Sequence, residues 1–378
     1  MYPLVGLFFI AVTPVLALHS PDIAEPPGVC SSQSSLPRVY ALDHLNDASI
    51  TKEVSAADDY MIGHGVAQNV HLAAQSYEKA ANAGDPDAQN QIGYLYQTGI
   101  GVPQNMERAV HWYQLSAANG SLNGKVNLAV TYVWGLGVRA NPQLGESLLQ
   151  EASGKGSGIA AAYLGDIYLA GIGFASDRTK AIANYERGVR LHSYYAEYKL
   201  GLLLSKPDNH PQNLERSIAL LRKSISQGYV PAMYLLGLIA VNHPESNVPH
   251  QEALALLGDA SGAGSWKASI VLAILSRDGK WVQKDKEEAY RYFKRAALQG
   301  GDSVTKSVHN DVQALIPNLP PGSVADLDTH AAEWASKHSV PLQMIFKSGQ
   351  KLVPFSAYAL SSSNPGQHVG VLVAPVPD

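Results

Sequence analysis

Small and apolar residues return along this chain every 36 residues without a change of phase. One column of the repeat holds alanine or glycine, and the column four residues later holds leucine or isoleucine. The first column is Ala88, Gly124, Ala160, Ala196, Ala232 and Ala268, and the second is Ile92, Leu128, Leu164, Leu200, Leu236 and Leu272. A strict period between 20 and 50 residues is typical of stacked repeats that share a core with their neighbours. The pattern predicts seven units between about Ser49 and Gly300.

Within a unit, the apolar positions are three and four residues apart, which is the period of an amphipathic helix. In the unit that contains Ala88 they are Ile92, Leu95 and Tyr96, and then Ala109, Tyr113 and Ala117. We therefore expect two antiparallel helices in each unit. In four units a glycine follows the leucine column, which lets the facing helix approach closely; these are Gly93, Gly165, Gly201 and Gly237.

Glycines mark the turns of each unit, because glycine reaches positive φ without steric cost. A Gly-x-Gly pair such as Gly99 and Gly101 lies between the two helices. A further glycine is expected to end each second helix. This closing column is Gly84, Gly120, Gly156, His192, Gly228, Gly264 and Gly300.

Three units depart from the pattern at the paired glycines. Pro207 and Asn209 replace them in one unit, and His243 and Glu245 replace them in the next. Trp281 replaces the second glycine of the unit after that. We expect the first two of these turns to be reshaped.

The motif A-x-x-x-L-G-x-x-Y-x-x-G-x-G-V, followed by A-x-x-W-Y-x-x-A-A-x-x-G, resembles the Sel-one-like repeat, a relative of the tetratricopeptide repeat. The resemblance covers about two thirds of the chain. It implies an all-α fold, namely a right-handed α-solenoid superhelix of about seven antiparallel helix pairs with C-terminal capping helices. It also implies a scaffold in envelope assembly, secretion or signalling, without choosing among these roles.

The two ends of the chain do not follow the repeat. The first residues are an apolar run that ends in Val15, Leu16 and Ala17, as signal cleavage after Ala17 requires. Since no Lys or Arg precedes the run, the alternatives are an uncleaved anchor and a mis-assigned start. We expect a signal peptide over residues 1–17, a Pro- and Ser-rich leader over 18–48, helix pairs over 49–300, capping helices over 301–338 and a mostly disordered tail over 339–378.

The composition restricts the partners and the cellular location. A formal net charge of -4 with 16% charged residues argues against a nucleic-acid interface, which needs clustered Lys and Arg. The single Cys30 cannot form an intramolecular disulfide, so packing alone must hold the core. The N-terminal run is short for a membrane span. We expect an exported bacterial protein, periplasmic or extracellular, with no stable span after signal removal.

The face of each first helix opposite its apolar stripe is itself unusually apolar. First helices line the concave wall of helix-pair solenoids, so we predict that this face binds another protein or a peptide. Tyr198 and Tyr234 occupy one position in consecutive units, and a tyrosine can bury its ring while presenting its hydroxyl. The predicted contact residues are Tyr94, Val130, Tyr198, Leu202, Tyr234, Leu238 and Ile274. The alternative is that these side chains pack sideways against the next first helix.

Three short motifs raise the alternative of a serine enzyme. Penicillin-interacting enzymes combine Ser-x-x-Lys, Ser-x-Asn and Lys-Ser/Thr-Gly, which occur here at Ser76 to Lys79, Ser362 to Asn364 and Lys347 to Gly349. The first lies in ordinary second-helix columns, and the others are in reversed order in the tail, so their context is wrong. Paired cysteines, which the cysteine-rich relatives have in every repeat, are also lacking. We predict no enzyme; the alternatives are a cell-wall-directed hydrolase of the β-lactamase or penicillin-binding type and a scaffold for polysaccharide export.

The histidines and tryptophans do not form a recognisable ligand set. The 13 histidines are scattered, without a His-Glu-x-x-His or paired-Cys spacing. We expect no metal and no cofactor, although His64 with His71, or His210 with His243 and His250, could converge. Four of the five tryptophans fall in different columns and are predicted to pack rather than to stack on a sugar; they are Trp112, Trp134, Trp266 and Trp281.

Overall fold

The computed structural model describes residues 47–62, 65–205, 211–337, 344–346 and 351–353. The signal peptide, Cys30 and most of the predicted leader and tail lie outside these ranges. The helices are α1 (Asp47–Ile62), α2 (Val70–Asn82), α3 (Pro86–Thr98), α4 (Met106–Ala118), α5 (Leu122–Trp134), α6 (Pro142–Gly154), α7 (Gly158–Ala170), α8 (Arg178–Arg190), α9 (Tyr194–Leu204), α10 (Pro211–Ser226), α11 (Val230–Asn242), α12 (His250–Gly262), α13 (Trp266–Asp278), α14 (Lys286–Leu315) and α15 (Ser323–Lys337). Two 3-10 helices, Pro244–Ser246 and Ile316–Asn318, follow α11 and α14.

Each helix packs against the helix before it and the helix after it. This nearest-neighbour packing of helix pairs confirms the predicted all-α solenoid. The range predicted to be a mostly disordered tail contains two short antiparallel strands, β1 (Met344–Phe346) and β2 (Lys351–Val353). No helix in the described part of the chain is both long and apolar enough to cross a bilayer.

Polar residues cap the helices at fixed positions of the repeat. Asp85 begins α3 by accepting a 2.6 Å hydrogen bond from the backbone N–H of Ala88, the first residue of the alanine column. Such caps satisfy N–H groups that have no partner within the helix. Equivalent first-helix caps are Ser121, Ser157, Ser193 and Ser265, and the second-helix caps are Asn69, Asn105, Asn141, Asp177 and Asp285.

One large side chain from each second helix fills the space between the two helices of a pair. Tyr113 of α4 is fully buried against Gly93 of α3, where an added Cβ would lie only 2.7 Å from the tyrosine ring. Gly165 and Tyr185 repeat this contact at 2.5 Å. The glycines that follow the leucine column therefore permit close approach, as predicted. The complete column of large residues is Tyr77, Tyr113, Leu149, Tyr185, Leu221, Leu257 and Phe293.

The paired glycines form the turn and also the contact between units. Gly99 and Gly101 have φ of 75° and 71°, in the left-handed region. A Cβ on Gly101 would lie 2.1 Å from the carbonyl oxygen of Val70, at the start of the preceding second helix. Trp281 retains this left-handed conformation, with φ of 67°, and its ring stacks on His250 at 4.1 Å. His250 is equivalent to Val70, and Trp281 is equivalent to Gly101. The two rings therefore make the contact between units at this turn.

One turn that lacks both glycines is reshaped, as expected. After α11, the 3-10 helix Pro244–Ser246 replaces the Gly-x-Gly turn, and Asn247 takes a left-handed φ of 54°. The other turn expected to change, around Pro207 and Asn209, lies outside the described residues.

The second helix of the last unit ends within one residue of the predicted closing glycine. Helix α14 consists of two helical segments that meet at Gly301, whose φ of 70° and ψ of -164° are not helical. The positive φ thus falls at Gly301 instead of Gly300. Val304 and Val308 are buried beyond the kink, and α15 packs against α14.

Candidate functional site

The first helices of the units form one wall of the solenoid. Helix α3 packs against α5, α7 against α9, α9 against α11 and α11 against α13. In the described part of the chain, no two neighbouring second helices pack as extensively. The first helices therefore form the more closely packed row of the stack.

Three of the predicted contact residues are buried in this row. Tyr94, Val130 and Ile274 are only 6%, 4% and 9% exposed, respectively. At these places the first helices contact each other directly; between α3 and α5, for example, Asn127 donates a 2.7 Å hydrogen bond to Asn90. Tyr94, Val130 and Ile274 are therefore largely inaccessible to a partner in this structure.

The other four predicted residues are partly exposed and lie on neighbouring helices. Tyr198 and Leu202 belong to α9, and Tyr234 and Leu238 occupy the same two positions on α11. All four rest on the main hydrophobic core. Burial raises the pKa of the Tyr234 hydroxyl to about 12, so it remains protonated at neutral pH. We call Tyr198, Leu202, Tyr234 and Leu238 the inner patch.

A cluster of buried tyrosines supports the inner patch from below. The ring centroid of Tyr229 lies 5.2 Å from Tyr198, 5.0 Å from Tyr194 and 6.3 Å from Tyr195. Tyr163 of α7 extends the cluster at 5.1 Å from Tyr195. Such edge and tilted contacts are favourable aromatic geometries. The ring of Tyr198 is therefore held in position on its buried side.

Tyr229 contributes its ring to this cluster but does not cap helix α11. It occupies the first-helix cap column, where other units have aspartate or serine, and it makes no side-chain capping bond at the start of α11. A missing cap costs about 1 kcal/mol. Its ring is only 6% exposed, and burial of an aromatic of this size offsets that loss.

A buried carboxylate joins the neighbouring helices beside the cluster. Asp166 of α7 is 8% exposed and accepts hydrogen bonds from Tyr185 at 2.6 Å and from Tyr195 at 2.7 Å. The Lys199 ammonium lies 2.9 Å from the same carboxylate. Burial, together with the charge of Asp166, raises the pKa of Tyr185 and Tyr195 well above the usual value. Both hydroxyls therefore remain protonated and donate to Asp166. These contacts hold α7, α8 and α9 together and do not supply an acid or a base.

A second buried carboxylate on α9 has an altered ionisation. Glu197 is 2% exposed, and its carboxylate accepts a 2.8 Å hydrogen bond from Gln227. Burial raises the pKa of this carboxyl to about 7, although Lys223 and the Gln227 bond oppose the shift. Asp58 of α1 behaves similarly, since burial raises its pKa to about 7.

Sequence reasoning missed the tyrosine cluster and both carboxylates. Two sequence features could have indicated the cluster. Tyr229 interrupts a column of serine and aspartate, and Tyr194 and Tyr195 are two consecutive tyrosines. The pairing of Asp166 with Tyr185 and Tyr195 depends on three helices, so no local pattern indicates it.

The serine-enzyme motifs do not assemble among the described residues. Ser76 is buried in α2, and the Lys79 ammonium points away to Glu53 at 3.7 Å. The residues of the other two motifs, at 347–349 and 362–364, lie outside the described ranges. No cluster of three or more His, Cys, Asp or Glu that could hold a metal occurs in the described part of the chain; His64 and His210 are not among those residues.

Comparison with known proteins agrees with this architecture. A Sel1 repeat protein from Oxalobacter formigenes is 22% identical, with a TM-score of 0.52, over 65% of this chain and 98% of that one. A protective antigen of uropathogenic Escherichia coli with an SLR fold is 25% identical, with a TM-score of 0.48, over 80% of this chain and 74% of the other. An immunity protein of Pseudomonas aeruginosa is 21% identical, with a TM-score of 0.42, over 54% and 80% of the two chains. No curated protein matches the sequence.

The repeats also match a family model over most of the solenoid. The Sel1 repeat model matches residues 56–85, 86–121, 124–157, 158–193, 195–229 and 266–301. These segments together make up more than half of the chain, and they confirm the resemblance read from the motif. The chain belongs to the Sel1 repeat family.

Proposed function

We propose that this protein is a non-catalytic scaffold that binds a segment of a partner protein on the inner patch. Sel1 repeat proteins are generally protein-interaction scaffolds. The observation that carries the proposal is the recurrence of a tyrosine and a leucine, both partly exposed, at the same two positions of α9 and α11. Aromatic side chains with a polar tip are enriched at interfaces, where a few residues supply most of the binding free energy.

The support beneath the patch favours binding. Tyr198 packs against the buried Tyr229, and the neighbouring Lys199 is tied to Asp166. A side chain already held in one orientation loses little conformational entropy when a partner arrives. The inner patch therefore offers pre-oriented apolar contacts.

The spacing of the patch indicates the partner sequence. Packed helices are about 8–10 Å apart, so the α9 and α11 halves of the patch are separated by roughly that distance. A peptide in the extended polyproline II conformation has three residues per turn and rises about 3.1 Å per residue, so its residues i and i+3 lie on one side at about this distance. We propose an extended partner segment with apolar residues at positions i and i+3.

Selection of peptides tests this proposal. A random library of 12-residue peptides is selected on the immobilised full chain, and the recovered sequences are compared. We expect enrichment of apolar residues at i and i+3, and competition among the recovered peptides for one site. Recovered peptides without that spacing, or binding that survives loss of the patch tyrosines, would reject the inner patch.

We also propose that the protein is exported and acts in the bacterial envelope or outside the cell. The support is the apolar run over residues 1–17, which ends in a small residue suitable for cleavage. Mass spectrometry of the protein from fractionated cells should find a mature N-terminus at Leu18 outside the cytoplasm. An intact N-terminus on protein that remains in the cytoplasm would contradict export.

A further inference from the structure

A cavity with two arginines lies on the second helices, away from the inner patch. Its volume is about 330 Å³, and it is open to solvent on one side. Ser153, Gly154 and Gly156, at the end of α6, line one wall, and Arg187, Arg190 and Leu191, at the end of α8, line the other. This volume is near the lower limit for small-ligand sites.

The two arginines differ in what they already bind. Arg187 donates a 3.0 Å hydrogen bond to the backbone carbonyl of Ser153, which is a usual role for a cation at a helix C-terminus. Arg190 is exposed, and within the described part of the chain its guanidinium makes no hydrogen bond or ion pair. The hydroxyl of Ser153, in the opposite wall, is buried and has no hydrogen-bond partner among the described residues. The guanidinium of Arg190 is therefore available to a ligand at the edge of the cavity.

This arrangement occurs once along the described second helices. The small Gly154 leaves the space open, because a Cβ placed on it would meet nothing within 4 Å. Neighbouring units lack the pair of arginines at the equivalent positions. Those positions hold Glu151 and Gly154, Lys223 and Ser226, and Asp259 and Gly262.

Within the part of the chain that the structure describes, no acidic side chain lines the cavity. The nearest acidic residues in sequence are already paired, Glu151 with Lys125 and Lys155, and Glu186 with Arg216. The C-terminal ends of α6 and α8 present partial negative charge, which disfavours a doubly charged anion such as phosphate more than a singly charged one. One free guanidinium matches a singly charged carboxylate, which it can bind through two parallel hydrogen bonds. Leu191, 38% exposed, provides an apolar surface beside it.

We propose that this cavity binds a carboxylate that carries an adjoining apolar group, from either a peptide C-terminus or an acidic side chain next to an apolar residue. Arg190 binds the carboxylate, and Leu191 contacts the apolar group. Arg187 fixes the position of the opposite wall through its hydrogen bond to the Ser153 carbonyl. The site is separate from the inner patch, so its loss leaves the proposed scaffold function unchanged.

Isothermal titration calorimetry with three probes at low salt tests the assignment. The probes are acetyl-Gly-Ala-Leu as the free acid, the same peptide as its amide, and acetyl-Asp-Leu amide. We expect the free acid to bind about tenfold more tightly than its amide. Tighter binding of the Asp-Leu amide than of the free acid would identify the side-chain carboxylate as the preferred source, whereas its failure to bind would identify the chain terminus.

Three variants of the full chain complete the test. Arg190→Ala should weaken binding of the free acid by about tenfold. Arg178→Ala removes the same charge from the other end of α8 and should leave binding within about twofold. Gly154→Leu adds a side chain in open space and should block the cavity, with helical circular dichroism unchanged. Equal binding of acid and amide, equal effects of the two arginine variants, or stronger binding of inorganic phosphate would overturn the proposal.

Discussion

The hydroxyl of Tyr185 donates a 2.6 Å hydrogen bond to the carboxylate of Asp166 across the α7–α8 pair. Tyr113 makes the same bond in α3–α4, also at 2.6 Å, but to the neutral amide oxygen of Gln97. Both tyrosines are fully buried, and both acceptors are 8% exposed. The two acceptors differ in charge and in their other partners, since Asp166 also contacts Tyr195 and Lys199.

This difference predicts unequal effects of two identical substitutions. Tyr185→Phe should lower the free energy of unfolding by about 1.5–3 kcal/mol, because it leaves a buried carboxylate with fewer donors. Tyr113→Phe should lower it by about 0.5–1.5 kcal/mol. Urea denaturation monitored by circular dichroism measures both. Equal losses would mean that the acceptor charge contributes little.

Gly101 and Gly84 provide a matched pair for the turns. Both have positive φ, but a Cβ on Gly101 would collide with the Val70 carbonyl, whereas a Cβ on Gly84 would meet nothing within 4 Å. Gly84→Ala should cost about 1–2 kcal/mol from the left-handed backbone alone. Gly101→Ala should cost about 2–4 kcal/mol, because the contact between units must also shift. Similar melting temperatures for the two variants would show that the contact between Gly101 and the Val70 carbonyl can shift at little cost in free energy.

The choice of an aromatic ring over a cap at Tyr229 can be tested directly. Tyr229→Ser restores the cap found in other units, worth about 1 kcal/mol, but removes a buried ring worth about 3–5 kcal/mol. We expect a net loss of about 2–4 kcal/mol in thermal or urea unfolding. Tyr229→Phe keeps the ring and serves as the control. A serine variant as stable as the parent would show that the cluster contributes no more than the missing cap.

Glu197 should make stability depend on pH. Its pKa in the folded protein is about 7, raised from the ordinary 4.5 by burial. The folded state therefore favours the protonated acid, and this stabilisation is complete below about pH 4.5 and is lost as the pH rises through 7.

Glu197→Gln replaces the carboxyl by a neutral group of the same shape. At pH 8 it should raise the free energy of unfolding by about 1–3 kcal/mol, and at pH 4 it should change it little. Melting temperatures at pH 4, 6 and 8 test this. An equal gain at every pH would assign the effect to packing instead of ionisation.

Local pattern was sufficient to predict the helix pairs, the turn glycines and the close contact at Gly93. These features repeat with the chain, and each depends on residues within one unit. In the last unit the positive φ falls at Gly301 and not at the predicted Gly300, because either of two successive glycines can provide it.

Lateral packing could not be predicted in the same way. Tyr94 and Tyr234 lie on equivalent faces of their helices, yet Tyr94 is buried and Tyr234 is partly exposed. The outcome depends on how closely the next first helix approaches, which involves residues from other units. The helical period identifies the side of each first helix that faces away from its apolar stripe. Only the packing of the stacked units shows which residues on that side a partner can reach.

The affinity of a library-selected peptide for two double variants tests the central claim most directly. One variant is Tyr198→Ala with Tyr234→Ala. The control is Tyr132→Ala with Tyr168→Ala, which removes two partly exposed tyrosines from consecutive first helices outside the inner patch. We predict that the first variant loses at least about tenfold in affinity, while the control stays within about twofold and both keep their helical circular dichroism. Equal affinity of the two variants would contradict binding on the inner patch.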